Sequence, residues 1–166
     1  MHNDPVVHSL LAATPAEGLA PPVAARRGAT LAIVSCTGPT QPFATRARDH
    51  FTAPLFQALC AFAEREAGRT FLLSAEYGLL DPETVIAPSR TVLDRKDVKR
   101  LQAWAGRVIE QLAPHLAGIE RVILLANARS REHLIDFLRQ DGRTVDVPLE
   151  GLSLGEQLHW LRRHGA

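Results

Sequence analysis

TFLLSAEYGLLDPETVIAP, residues 70–88, opens as an apolar run and then breaks into a polar loop. Thr70-Phe71-Leu72-Leu73 has the length and residue types of a buried strand. From Ser74-Ala75 onward the pattern is neither strand nor helix: Glu76, Tyr77, Gly78 and Asp81 punctuate it, and Pro82 and Pro88 stiffen its far side. In an open α/β sheet, ligands bind just beyond the carboxyl ends of the strands. A carboxylate, a phenol and a glycine leaving a buried strand therefore have the composition of an active-site edge. The competing reading is a surface crossover whose Tyr77, Leu79 and Leu80 plug the core.

On either side of this stretch, strand and helix patterns alternate. Thr30-Leu31-Ala32-Ile33-Val34-Ser35 is a first strand, and its unbroken apolar character favours a central parallel position. Arg121-Val122-Ile123-Leu124-Leu125-Ala126 is another, and Arg143 to Val147 a short last one after the Asp141-Gly142 turn. Between them the apolar spacing predicts helices over Ala53 to Ala67, capped by Thr52 with Pro54 just inside, over Val98 to Leu116, capped by Asp97, and over Glu132 to Gln140. Trp104 lies on the apolar stripe of the second of these, so it reads as a core residue. A terminal helix follows Ser153, with Leu154, Leu158 and Leu161 expected inward and Glu156 completing a capping box. The order predicts a small three-layer α/β fold with a mostly parallel sheet of about four strands. Residues 29–166 make a single domain, preceded by a proline-containing arm, residues 1–28, that is flexible or draped over the surface.

Composition limits the function classes. The 166 residues carry nineteen Lys plus Arg against eighteen Asp plus Glu, a formal charge of +1 that provides no global field for nucleic acid. Lys96 and Lys99 are the only lysines, and an arginine-rich surface favours bidentate contact with phosphate or carboxylate. Cys36 and Cys60 are too few for a disulfide scaffold or a cysteine-built metal site, and the histidines lack ligand spacing. No metal and no cofactor is therefore expected. No membrane span and no secretory signal is legible, which makes a reducing cytoplasm the default compartment.

Candidate site residues come from the loops that follow strands. Ser35-Cys36-Thr37-Gly38 offers backbone N–H groups able to cradle an anion, without the lysine pattern of a P-loop. Cys36 is either a nucleophile or, the better reading, a buried inert thiol. Arg46 and Arg48 either clamp phosphate or form an exposed basic turn. Asn127-Ala128-Arg129-Ser130-Arg131, between a strand and a helix, is placed to meet an anionic or hydroxyl-rich ligand. Arg129 and Arg131 will not both face inward. Glu150, after the last strand, is the second carboxylate of interest after Glu76.

The stretches Val34-Ser35-Cys36, Thr52-Ala53-Pro54-Leu55-Phe56, Phe71 to Leu80, Val85-Ile86-Ala87-Pro88, Ile123 to Ala126 and Val147 to Leu152 with Gly155-Glu156-Gln157-Leu158 together resemble the DUF6884 family of bacterial and phage domains. A more distant similarity links them to uracil-DNA-glycosylase-like domains and to domains found beside deazaguanine-modifying enzymes. The chain departs from the family pattern in three places. It lacks a lysine after Ser35-Cys36, it has Ser89-Arg90 where a tyrosine-aspartate pair is usual, and Phe51 or His50 stands for a tyrosine. Such changes imply a shifted substrate or lost catalysis.

Three functions are open to these residues. The first is an enzyme acting on a nucleotide, nucleoside or modified base, by N-glycosidic bond cleavage or base transfer. Glu76 would stabilise an oxocarbenium-like centre, Glu150 would assist as acid, Arg48 or Arg129 would bind phosphate, and Tyr77 and Asn127 would meet the base. Cys36 would line the substrate pocket. The second is a non-catalytic module binding a small nucleotide-like or phosphate-containing ligand, or nucleic acid. A domain used for homo-oligomer assembly is a third.

Overall fold

The computed structural model of the protein describes residues 23–94 and 96–165. Residues 1–22 of the expected arm lie outside them. The arm's last part is helical, α1 (Val23–Gly28), and the Arg27 guanidinium ties it to the carbonyl of Glu64 at 2.8 Å.

Four strands of a five-stranded sheet run parallel: β1 (Thr30–Ser35), β3 (Arg69–Ser74), β6 (Arg121–Leu125) and, on one edge, β7 (Thr144–Asp146). The fifth, β4 (Gly78–Leu80), runs antiparallel on the edge, and the order is β4-β3-β1-β6-β7. On one face, α3 (Pro54–Glu66) and α6 (Leu154–His164) cover Ala32, Val34, Leu72, Ile123 and Leu125. On the other, α4 (Val98–Leu112) and α5 (Ala128–Gln140) cover Leu31, Ile33, Phe71, Leu73, Val122 and Leu124. The apolar runs of β1, β3 and β6 thus have no polar alternation because successive side chains enter two different cores. This is the three-layer α/β architecture expected, with one strand more.

That extra strand corrects the reading of residues 76–80. The chain turns over Ala75–Tyr77 and returns as β4, pairing Leu73 with Leu79 and Leu72 with Leu80. Gly78 enters it at φ +72, and a Cβ there would come within 2.4 Å of Gln111 Oε1. The same Gln111 oxygen accepts from the Leu79 amide at 2.8 Å, so a side chain of α4 bonds the sheet edge. Three residues are too few to show a period of two, which is why the strand was invisible. The segment Val85-Ile86 pairs outside the main sheet, as β5 (Val85–Ile86) against β2 (Thr45–Arg46).

Helix ends differ in instructive ways. The α3 N-cap is Ala53 with no side-chain cap, while the Thr52 hydroxyl donates to the Pro39 carbonyl at 3.3 Å. Asp97 does cap α4, which ends at Leu112 before a 3-10 turn over Ala113–His115 that accommodates Pro114. Trp104 is buried, as expected, with its indole N–H donating to the Ser74 carbonyl at 3.0 Å. The start of α5 lies earlier than the spacing suggested, at Ala128, because Asn127 accepts from the Ser130 amide and caps it. In α6 the capping box of Ser153 and Glu156 is present, but Leu154 is 72% exposed. Leu161 is buried and Leu158 half-buried; Leu154, in the first turn, instead borders the cleft described next.

Candidate functional site

The connection from β1 passes through α3 to β3 on one side of the sheet, whereas that from β6 passes through α5 to β7 on the other. The carboxyl ends of β1 and β6 therefore flank the topological switch point, where diverging loops leave a crevice. Two cavities open there. One, of 280 Å³, lies between Ser35, Thr37, Asn127, Ala128 and Arg131, with Leu55, Leu59, Leu149 and Leu152 as apolar wall. The other, of 330 Å³, lies between Cys36, Gly38, Thr40, Phe51, Arg129 and Ser130, beneath residues 89–93. Thr37 and Asn127 line both and form the ridge between them.

The start of α5 lies at this ridge, with Asn127 as its cap and Ala128 and Arg129 lining the two cavities. Asn127 Oδ1 accepts from Ser130 N at 3.1 Å, and Asn127 O accepts from the amides of Ser130 and Arg131. The amides of Ala128 and Arg129 stand in the first turn, where a helix has no partner of its own to offer. Beside them Ser35 is 5% exposed and its Oγ has no hydrogen-bond partner. An orphaned buried hydroxyl is costly, about 1–3 kcal/mol, unless something in the cavity bonds to it. The helix dipole adds a partial positive charge at the same place.

The two arginines straddle the helix start. Arg129 Nη1 donates to the Leu93 carbonyl at 2.9 Å and fastens the 89–93 segment, while Arg131 Nη1 donates to the Ala126 carbonyl at 3.0 Å. Each lines a different cavity, in keeping with their spacing on a helix.

Glu76 stands at the outer edge of the second cavity. Its carboxylate accepts from the Ser89 hydroxyl at 3.3 Å and from the Thr91 hydroxyl, so it holds the overlying segment down. It also lines a recess of 80 Å³ with Cys36, His50 and Tyr77. The Tyr77 hydroxyl donates to the Ala87 carbonyl at 3.4 Å. Burial, reinforced by neighbouring Cys60, pushes the Cys36 thiol well above its ordinary range, so it is a neutral wall rather than a thiolate.

Of the expected site residues, Arg48 lies elsewhere, and Glu150 is exposed at the rim of the first cavity, where it meets Arg131. Arg48 is bonded to Glu83 at 3.1 Å and to Glu64 at 2.9 Å, and the hydrogen bond to Glu83 raises its pKa further. Glu150 sits in the turn after β7 with its side chain 67% exposed, 3.6 Å from Arg131. It borders a separate groove with Arg121, Phe62 and Trp160. The structure thus gathers Cys36, Asn127 and Arg129 in one cavity and Cys36, Glu76 and Tyr77 in the adjoining recess. His50 and Phe51, marked in the sequence only as departures from the family pattern, line the recess with them, while Ser35, from the same loop as Cys36, lines the first cavity. Among the described residues no group of three or more His, Cys, Asp or Glu is placed to hold a metal ion. None of the described helices is long and apolar enough to cross a membrane.

Compared with known proteins, residues 31–163 match the model of DUF6884, a family of unknown function. No curated protein and no solved structure matches the chain.

Proposed function

The chain belongs to the DUF6884 family, whose function is unknown, and from the crevice itself we propose that it binds a small nucleotide-like ligand at the switch point of its sheet. The phosphate lies at the start of α5, against the first-turn amides, the Ser35 and Thr37 hydroxyls and the Asn127 side-chain amide. The remainder of the ligand extends into an adjoining cavity. One observation carries this reading: a buried hydroxyl without a partner, Ser35 Oγ, in a cavity that also contains the first turn of a thirteen-residue helix. Neutral hydrogen-bond donors in a half-enclosed crevice suit a single phosphate better than a nucleic-acid backbone, which calls for a run of free cations. Arg48 is already paired to two carboxylates, which favours a small ligand further.

Isothermal titration of the full chain with nucleoside monophosphates, the matching nucleosides, inorganic phosphate and a single-stranded oligonucleotide tests the reading. Monophosphates should bind at least about tenfold tighter than nucleosides, since a charge-assisted hydrogen bond is worth about 1.5–3 kcal/mol. Equal binding of nucleoside and monophosphate refutes it, and strongly salt-dependent binding of the oligonucleotide alone replaces it with nucleic-acid recognition.

Glu76 favours a second reading, in which the bound nucleotide or nucleoside undergoes N-glycosidic cleavage or base transfer. Its carboxylate borders the recess beside Tyr77. In this reading Ser89 and Thr91 release the carboxylate when the ligand enters, and it faces the oxocarbenium-like carbon while the C1′–N bond breaks; water supplies the hydroxyl that bonds to C1′ and its proton goes to the departing base. Release of free base, followed by chromatography, that is abolished in Glu76→Gln supports it; base release undiminished in that variant removes Glu76 from the reaction.

A further inference from the structure

His50 ends α2 (Ala47–His50), is 1% exposed, and buries its Nδ1 without a hydrogen-bond partner. Its position is fixed by backbone rather than by its ring. The Ala47 amide donates to Thr84 O at 2.8 Å and the Arg48 amide to Pro82 O at 2.9 Å, while the His50 carbonyl accepts from Gln41 N at 2.8 Å. The ring meets Phe51 edge to face, with centroids 5.3 Å apart, and forms part of the wall of the 80 Å³ recess. That recess shares Cys36, Thr40, Phe51, Ser89 and Thr91 with the 330 Å³ cavity, so the space at the start of α5 and the space at His50 adjoin along these residues.

We propose that this recess receives the hydrogen-bonding edge of the ligand's nitrogen heterocycle and that His50 is the residue that recognises it. The inference rests on the nucleotide reading above and adds the ligand's orientation to it. The two ring nitrogens of an imidazole can present one donor and one acceptor, which matches the alternating donors and acceptors along a base edge. The Thr40 hydroxyl and the protonated Cys36 thiol on the same wall are uncharged partners. Phe51 lines both spaces and supplies a face on which a planar ring can lie. Glu76, also at the recess, repels an anion, so the phosphate takes the helix end of the space and the uncharged ring the histidine end. With the ring in place, the His50 nitrogen gains the partner that the folded chain itself does not provide.

The test compares a nucleoside monophosphate with ribose 5-phosphate, which carries the phosphate and sugar but no base. In calorimetric titrations of the full chain, His50→Phe should weaken the monophosphate about tenfold or more and leave ribose 5-phosphate unchanged. His50→Gln, which keeps a donor and an acceptor, should recover part of the loss. In the wild-type chain, independently of any folding defect in a variant, the His50 imidazole nitrogen resonances should move with the monophosphate and not with ribose 5-phosphate. A monophosphate that binds the wild type and both variants alike, or leaves the His50 resonances in place, overturns the inference while the anion site stands. Binding of neither ligand to the wild type overturns both.

Discussion

Replacing Ser35 by alanine should move stability and ligand binding in opposite directions. In the free protein its Oγ is buried and bonded to nothing, so the folded state carries a desolvation cost of roughly 1–3 kcal/mol that the unfolded chain does not. Deleting one oxygen leaves a void smaller than a methyl group, which returns part of that gain. The net expectation is an unliganded Ser35→Ala protein more stable by about 1 kcal/mol, or a Tm higher by roughly 3–4 °C for a chain of this size. Bound phosphate would be the hydroxyl's missing partner, and a hydrogen bond to a charged group is worth about 1.5–3 kcal/mol, so phosphate affinity should fall roughly ten- to a hundredfold. Urea unfolding gives the first quantity, provided the slope with denaturant is unchanged, and calorimetric titration gives the second. A Ser35→Ala protein destabilised by about 1 kcal/mol or more means that the hydroxyl has a partner in the free state. An unchanged phosphate affinity means that the anion does not bind there.

Two further outcomes follow from the electrostatics. The backbone amide of Ser153 donates to the Glu156 carboxylate at 2.7 Å and holds its pKa below the usual carboxylate range. A depressed carboxylate stabilises the fold above its unfolded pKa and loses that contribution as the pH falls through the folded value. Amide protection factors in α6, referred to the intrinsic exchange rate at each pH, should therefore fall on acidification more in the wild type than in Glu156→Gln, and equal acid sensitivity in the two would exclude the capping box as the cause. Burial pushes the thiol of Cys36 up strongly and that of Cys60 to about 12. Alkylation of the native protein by iodoacetamide near pH 8 should accordingly be at least about tenfold slower than that of a free thiol, and rapid labelling of Cys36 would reveal an activated cysteine instead.

The apolar runs at 30–35, 70–73 and 121–126 determined the sheet and its parallel character on their own, because a strand buried on both faces has no polar residue to hide. The amphipathic stripe of 98–112 and the Ser153–Glu156 box likewise placed α4 and α6, since local spacing and local hydrogen bonds suffice for both. The loops after the strands were legible as candidate site edges because ligands of open α/β sheets bind beyond the carboxyl ends of the strands. What the chain order left open is which loops meet. The strand order β4-β3-β1-β6-β7 puts the carboxyl ends of β1 and β6 side by side and leaves Glu150 exposed at the rim, between Arg131 and a separate groove. Whether a polar side chain is satisfied is also a tertiary matter. Glu76 reads as a free carboxylate until Ser89 and Thr91 fold over it, and Arg48 as a free cation until Glu64 and Glu83 reach it. Ser35 and His50 look ordinary until burial removes their water and supplies nothing in exchange. Hydrophobic periodicity is a property of neighbours along the chain, whereas hydrogen-bond satisfaction depends on groups brought together from distant positions, and in this protein the candidate site is defined by the second.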